Sequence, residues 1–570
     1  MTRRYLVVLN KTANDVPFTA PSGFIQVHRL RNVVVWADNA TNVLGFESEN
    51  AIVIGHLFPK AHNAAPLREL PCDASQQITR TQGQVLIDQY WGGYCYFQID
   101  SPAMGLFVVR DPSGMMPCYW HEGATHWVLA SDAETLAKAL GRRPEIDWSM
   151  LRRHLHAYDL RSARTCLENV TEVLPGQRLH LTPTSSTVET CWSPWAFTRP
   201  TRPASPQDLR ETVDACVQTW ANAFSRILLT VSGGLDSSIC TAALRDAPNL
   251  YACLTMTTDE AEGDETPYAR LLAGTFNRRL IEARHELSDI DFTRTSSGHL
   301  PRPVNYALGQ SELRHRRVLA EAEGLDAIFT GVGGDNVFCH VRSATPVVDR
   351  LIAQGIMGAF AATLDICRMT DASLSEVIQA ARERRKRSAA YTWHVDDSFL
   401  TGQISLTLYH PWLEYPSAAL PGKAVHIAML ERLQATTDGY DPATWPQQVN
   451  PLASQPIMEL CLGIPSWRWC AGGRDRSVAR AAYSDILPAA LINRRSKGGA
   501  NSFAHQIVSR RREDLRMFLC AGLLAEHQVI DARSLDVALA PSRDIPFSEH
   551  LRLLFLAEAE SWARHWMCIT

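Results

Sequence analysis

The chain lacks the features that most directly mark a secreted, metal-bound or membrane protein. Its 14 cysteines include no C-x-x-C pair. Neither a zinc site nor a disulfide framework is indicated, and reduced thiols are the default. No stretch approaches the ~18 apolar residues of a spanning helix. The apolar run after Arg3 and Arg4, Tyr5 to Leu9, is too short for a signal-peptide core and reads as a first strand. A cytoplasmic location with no membrane partner is expected. No internal repeat or low-complexity segment is found. The formal charge is −4, and no basic face for nucleic acid is evident. What is present is ordinary for a globular chain: 46% hydrophobic and 20% charged residues. At 570 residues, two or more domains are expected.

The most informative stretch is Val231-Ser232-Gly233-Gly234-Leu235-Asp236-Ser237-Ser238. An apolar run, Ile227 to Val231, leads into it, and a helix-like run from Ser238 to Arg245 leads out. Glycines in such a strand–turn–helix let the backbone approach an anion closely. The helix start aims N–H groups and partial positive charge at that anion. Ser237 and Ser238 suit the helix start and can add hydroxyl donors. Asp236 would repel a polyphosphate unless Mg2+ lies between them. The Gly-Lys-[Ser/Thr] ending of a Walker A loop is absent, which argues against a kinase or GTPase. The stretch resembles the pyrophosphate loop of ATP pyrophosphatases, which split ATP into AMP and pyrophosphate and adenylate a carboxyl or carbonyl oxygen.

From residue 1 to about 195 the pattern is mostly β. Short apolar runs recur at Tyr5 to Leu9, Val33 to Trp36, Ala51 to Ile54, Tyr94 to Ile99, Gly105 to Val109 and Trp127 to Leu129. Gly93 to Phe97, Arg110-Asp111-Pro112-Ser113-Gly114, Ala130-Ser131-Asp132 and Leu174-Pro175-Gly176 resemble the glutaminase domain of glutamine-dependent asparagine synthetases. In that family a cysteine after the initiator methionine is the nucleophile. Here position 2 is Thr2, and the nearest cysteine is Cys72. The resemblance therefore implies a kept fold and a lost ammonia-releasing activity. The proline-rich break at Pro200 to Pro206 marks the boundary. The expected fold is a degenerate class II glutamine amidotransferase-like, β-rich domain over 1–200. An asparagine-synthetase-like parallel α/β ATP pyrophosphatase domain follows over 207–570.

Leu209 to Phe224 reads as a helix entering a parallel sheet, whose ligands sit at the strands' carboxyl ends. Tyr251 to Met256 is a second strand, and by resemblance Met256 contacts adenine. The acidic turn Asp259 to Glu265 reads as a solvated loop, with Asp264 and Glu265 suiting a helix start. A second motif, Ile328-Phe329-Thr330-Gly331-Val332-Gly333-Gly334-Asp335-Asn336, again runs from strand to glycines to carboxylate. Two such loops can place Asp236 and Asp335 around Mg2+ and the triphosphate, with metal stabilising the departing pyrophosphate. By resemblance Thr330 and Gly331 touch the nucleotide near the ribose and α-phosphate.

Asparagine synthetases carry Glu, and β-lactam synthetases Tyr, where this chain has Val332. The wording of this loop is similar to the lasso peptide cyclases. These join a precursor peptide's N-terminal amine to an Asp or Glu side chain. The block from Asn450 to Pro465, Gly472 to Arg480, and Arg494-Arg495-Ser496-Lys497-Gly498-Gly499 resembles the same group. So, more weakly, does His410-Pro411-Trp412-Leu413. Lys497 matches a lysine that β-lactam synthetases place over the reacting centre, and acyl-adenylate attack needs such a cation. Arg476 and Arg480, four apart, read as surface ion pairs. Arg382 to Arg387 reads as a solvated helical face, and Trp393 and Trp412 as core.

The resemblance implies ATP and Mg2+ as cofactors and a macrolactam-forming ligase as the activity. Its implied partners are a precursor peptide, a leader peptidase and a precursor-recognition protein. No general base is identifiable, and an α-amine of pKa ~8 scarcely needs one. An ammonia-dependent asparagine synthetase, a β-lactam-synthetase-like ligase and a non-catalytic scaffold are the alternatives.

Overall fold

The computed structural model describes the chain apart from residues 1–3, 13–18, 31, 40, 47–48, 61–64, 259–263, 305, 388–389, 403–408, 438, 440, 442–445, 496–500 and 569–570. Its amino-terminal part is a sandwich of two antiparallel six-stranded sheets. In one sheet the strand Tyr5–Asn10 lies between Val33–Asp38 and His126–Ala130. In the other, Tyr90–Asp100 lies between Ala51–Pro59 and Gly105–Arg110. All six β runs expected from alternation are strands. The inner faces interdigitate through Tyr5, Val7, Leu9, Ile52, Ile54, Phe97 and Val108. The strands Phe24–Leu30, Val43–Gly45, Tyr119–Glu122, Val170–Glu172, Gln177–Leu181 and Ser186–Thr190 are additional; Ser186–Thr190 is exposed throughout, so burial leaves no apolar pattern to read there.

The carboxy-terminal part is built on a five-stranded parallel sheet. Its order is Leu280–Arg284, Leu250–Thr257, Ile227–Thr230, Ala327–Phe329 and Gln447–Val449. The strand Ile227–Thr230 is central and buried on both faces, hence its unbroken apolar character. The helix Pro206–Ala221 begins with a Ser205–Asp208 capping box and Pro206 at its first turn.

The two parts share one core. Phe58, Trp91, Tyr94 and Trp192 from the sandwich pack with Val213, Trp220, Leu430 and Ile457. Trp192 Nε1 donates to Glu459 at 3.0 Å, and Lys60 pairs with the same carboxylate. A buried charge cluster lies beside this core. Glu172, fully buried, accepts from Arg110 and Arg161 and pairs with Arg302 at 2.8 Å. Arg161 also reaches the far side: its backbone N–H donates to Glu431 and its guanidinium to the Gln434 carbonyl. Glu431 and Gln434 lie on the helix Pro421–Gln434, whose neighbouring residues Arg432 and Leu433 line the large cavity described below. Glu172→Leu strands three buried guanidinium groups. It is expected to cost about 3–5 kcal/mol, read as a lower midpoint in urea unfolding.

Candidate active site

The two glycine loops leave adjacent strands at the same sheet edge, since Ile227–Thr230 pairs directly with Ala327–Phe329. The first enters the helix Leu235–Ala243, with Gly234 at its N-cap. The second enters the short helix Gly334–Val337. They touch closely. A Cβ on Gly331 would lie 2.6 Å from the Ser237 nitrogen, and one on Gly334 2.3 Å from Asp236 Cγ. Gly233 is the residue that turns the first loop, at φ +62°. Gly331 and Gly334 thus serve the close approach between the loops.

The loops open into a cavity of about 1110 Å3. Val231, Ser232, Gly234, Leu235, Asp236, Ser237, Met256, Thr330 and Gly331 all line it. Gly233 is held beneath, its carbonyl accepting from Arg494 Nη1 at 3.0 Å. Ser238 faces inward, its hydroxyl donating to the Gly234 carbonyl at 2.8 Å. Ser237 makes the same turn at 3.2 Å and also accepts from the Ser232 N–H. Lys497 lies outside the described residues, and so do Thr2 and Asp259 to Gly263. Arg494 and Arg495, immediately before the Lys497 segment, line the cavity. Arg494 Nη2 pairs with Glu265 at 2.9 Å, and its guanidinium stacks 3.9 Å from the Tyr268 ring centroid.

The sequence expectation for Arg476 and Arg480 fails. Neither is on the surface. Arg476 Nη1 donates to both oxygens of Asp236 at 3.0 and 3.1 Å and to Asp335 Oδ1, and its Nη2 pairs with Asp475 at 2.9 Å. Burial works against its charge, but Asp236, Asp335 and Asp475 outweigh it and raise its pKa. Helical spacing alone could not reveal this, because Arg476 adopts φ 49° and caps the helix Ser477–Ala482 from outside it. Arg480 donates to Asp475 Oδ1 at 2.8 Å and to the carbonyls of Ile492 and Arg494. It thereby ties the strip leading to Lys497 against the cavity. Burial is the main cause of the lowered Arg480 pKa. Burial of Asp475 is outweighed by Arg476 and Arg480, which hold its carboxyl below the usual range.

Asp236 and Asp335 therefore converge on one cationic point. Both carboxylates are hard-oxygen donors of the kind Mg2+ takes; in this structure they pair with Arg476, and the described residues hold no group of three or more His, Cys, Asp or Glu that could hold a metal ion. His340 stands beside them, with Nδ1 3.3 Å from Asp335 Oδ1.

A polar relay along the strand ends was missed in the sequence. Arginine can only donate. Arg316 Nη1 donates to Gln448 Oε1 at 2.9 Å. Gln448 Nε2 then donates to Asn450 Oδ1 at 3.1 Å. Asn450 Oδ1 also accepts from Thr330 Oγ1 at 2.7 Å, and that hydroxyl accepts from the Val332 N–H at 3.0 Å. The Thr330 hydroxyl is committed to shaping its own loop. Glu312, one turn before Arg316, anchors the relay. The i,i+4 spacing of Glu312 and Arg316 was the available signal.

Two outcomes follow from this geometry. Gly334→Ala displaces Asp236 and is expected to lower AMP formation about a hundredfold or more in a steady-state assay. Arg316→Met removes the donor that fixes the relay and is expected to raise the KM for ATP. Combined with Thr330→Val it should add little, since coupled neighbours depart from additivity by about 0.5–3 kcal/mol.

The Asparagine synthase family profile matches residues 208–564, and the Glutamine amidotransferase domain profile matches residues 76–192. No curated protein matches the chain. Among solved structures, glutamine phosphoribosylpyrophosphate amidotransferase from B. subtilis, complexed with ADP and GMP, is 9% identical over 43% of this chain and 58% of its own, with TM-score 0.19. The allosteric regulatory enzyme of purine biosynthesis is 9% identical over 50% of this chain and 74% of its own, with TM-score 0.20. This chain thus spans less than two thirds of the first of these, and neither score bears on the site. The synthase match covers more than half of the 570 residues and contains both glycine loops and Arg476. The chain belongs to the asparagine synthase family.

Proposed function

We propose that the chain closes a macrolactam in a precursor peptide, as lasso peptide cyclases do. One observation carries the reading. Val332 stands between Gly331 and Gly333, and its side chain is 38% exposed on the cavity wall. An apolar side chain there can neither hold ammonia nor act as a base. The nucleophile then has to arrive already bound to the substrate, as a peptide's own amine does.

The reaction divides into two displacements. A side-chain carboxylate of the peptide attacks the α-phosphorus of ATP, and pyrophosphate leaves. The peptide's α-amine then attacks the acyl carbon, loses a proton, and AMP departs. The net change in the peptide is the loss of one water. The loop Ser232 to Ser238 and the helix start at Leu235 bind the phosphates. Asp236 and Asp335 would hold Mg2+, which neutralises the leaving pyrophosphate when bound. Arg476 keeps those two carboxylates together, and Arg480 and Arg494 hold the strip that carries Lys497. Lys497 supplies positive charge to the acyl oxyanion. The folded peptide makes its amine an intramolecular nucleophile, so proximity lowers the second barrier. A leader peptidase that frees the amine and a precursor-recognition protein are the partners this chemistry needs.

Purified chain, Mg-ATP and leader-free precursor peptide are expected to give a peptide lighter by one water with matching AMP, read by mass spectrometry. AMP formed only with free aspartate and ammonium would return the chain to the asparagine-forming reaction. Lys497→Met is expected to slow ring closure roughly a hundredfold or more while ATP still binds.

A further inference from the structure

Away from the cavity, the helix Thr345–Thr370 departs from helical geometry at Gly355, where φ is 75° and ψ −165°. The six residues 352–357 around this elbow are all exposed. A helix lying on a protein surface hides one face, so six consecutive exposed residues mean that the elbow projects. Its tip is apolar: Ile352 is 60% exposed, Ile356 82%, Met357 87% and Phe360 56%. From Leu351 to Leu364 there is no charged residue. Isolated exposed apolar side chains need no explanation, but four clustered on one projection do.

The surroundings of the tip are basic. The helix Leu374–Lys386 returns antiparallel after a three-residue turn, packing Val377 and Ala381 against Ala362 and Ile366. This brings its carboxy-terminal end back beside the elbow. Arg384 there acts electrostatically on buried Asp349, one turn before Ile352. Arg382, Arg385, Lys386 and Arg387 are all exposed at that end. With exposed Glu383 among them, they leave a net-positive collar on the side of the uncharged tip that this helix end faces.

We propose that this elbow is a membrane-docking device that inserts into an anionic lipid surface. Apolar tip and basic collar match hydrocarbon beneath anionic headgroups. Nucleic acid suits the collar but not the tip. A second copy of the chain suits the tip, but its own collar would repel it. The uncharged segment is too short to span: fourteen residues cover about 21 Å, against a hydrocarbon core of about 30 Å. The sequence alone predicts no membrane partner. The exposure of the elbow revises that expectation to peripheral attachment, which is independent of the cyclase reading.

Co-sedimentation of the full chain with phosphatidylglycerol-containing vesicles and with pure phosphatidylcholine vesicles tests it. Binding is expected to the anionic vesicles only and to weaken with added salt. Ile356→Asp with Met357→Asp is expected to reduce it at least about tenfold. These positions lie outside the cavity, so ATP binding should be unchanged and reports that the variant is folded. Failure of the wild-type chain to bind either vesicle would overturn the proposal. So would unchanged binding by the double variant, or concentration-dependent dimerisation that the double variant abolishes.

Discussion

Three carboxylates meet at one guanidinium, and the arrangement of the carboxy-terminal half follows from that meeting. Asp236 and Asp335 end two loops on neighbouring strands, and Asp475 approaches from a third segment far along the chain. Buried Asp236 and half-buried Asp335 and Asp475 would repel one another without a cation and drive the loops apart. Arg476 makes the convergence stable, and it does so from a left-handed backbone conformation that costs a non-glycine residue about 1 kcal/mol. Such strain at a site is characteristic of a residue whose position matters more than its local comfort. Arg480 and Arg494 extend the same logic outward, to the strip that leads to Lys497.

The amino-terminal sandwich has a part in this site although it lies behind it. Arg161 holds the end of the helix Pro421–Gln434, and Leu433 of that helix would contact a Cβ on Gly333 at 3.1 Å. Glu172 fixes Arg161 in turn. A chain of contacts, polar from Glu172 through Arg161 to the Gln434 carbonyl and apolar from Leu433 to Gly333, therefore runs from the sandwich to the second glycine loop. This gives a physical reason to keep the sandwich where the nucleophilic cysteine position holds Thr2. Cys72 is exposed at the start of the helix Cys72–Arg80, which does not resemble a protected nucleophile.

Much of this was legible in the sequence where local pattern and tertiary role coincide. The central strand reads as apolar because both its faces are buried, and the loop at its end reads as a strand–turn–helix because glycines, helix start and Asp236 are contiguous. Six of the sandwich strands announced themselves by their apolar runs, whereas short Tyr119–Glu122 and Val170–Glu172, polar-interleaved Gln177–Leu181 and exposed Ser186–Thr190 did not. Arg476 misled, because charge at i,i+4 spacing is the usual mark of a solvated helix. Its burial depends on loops some 140 and 240 residues distant in sequence. The relay from Arg316 to Thr330 joins segments with no sequence proximity, so only its first link could be anticipated. The elbow at Gly355 was hidden for the converse reason. Its apolar residues look like core until the fold leaves them outside.

The central claim is that the two loops, held on Arg476, activate a peptide carboxylate as an acyl-adenylate. Exchange of radiolabelled pyrophosphate into ATP measures that step alone, without ring closure. The account predicts exchange that requires a precursor peptide bearing its acidic side chain and that is lost when this side chain becomes an amide. Exchange supported by free aspartate but not by the peptide would contradict it, as would no exchange with any carboxylate while ATP is bound.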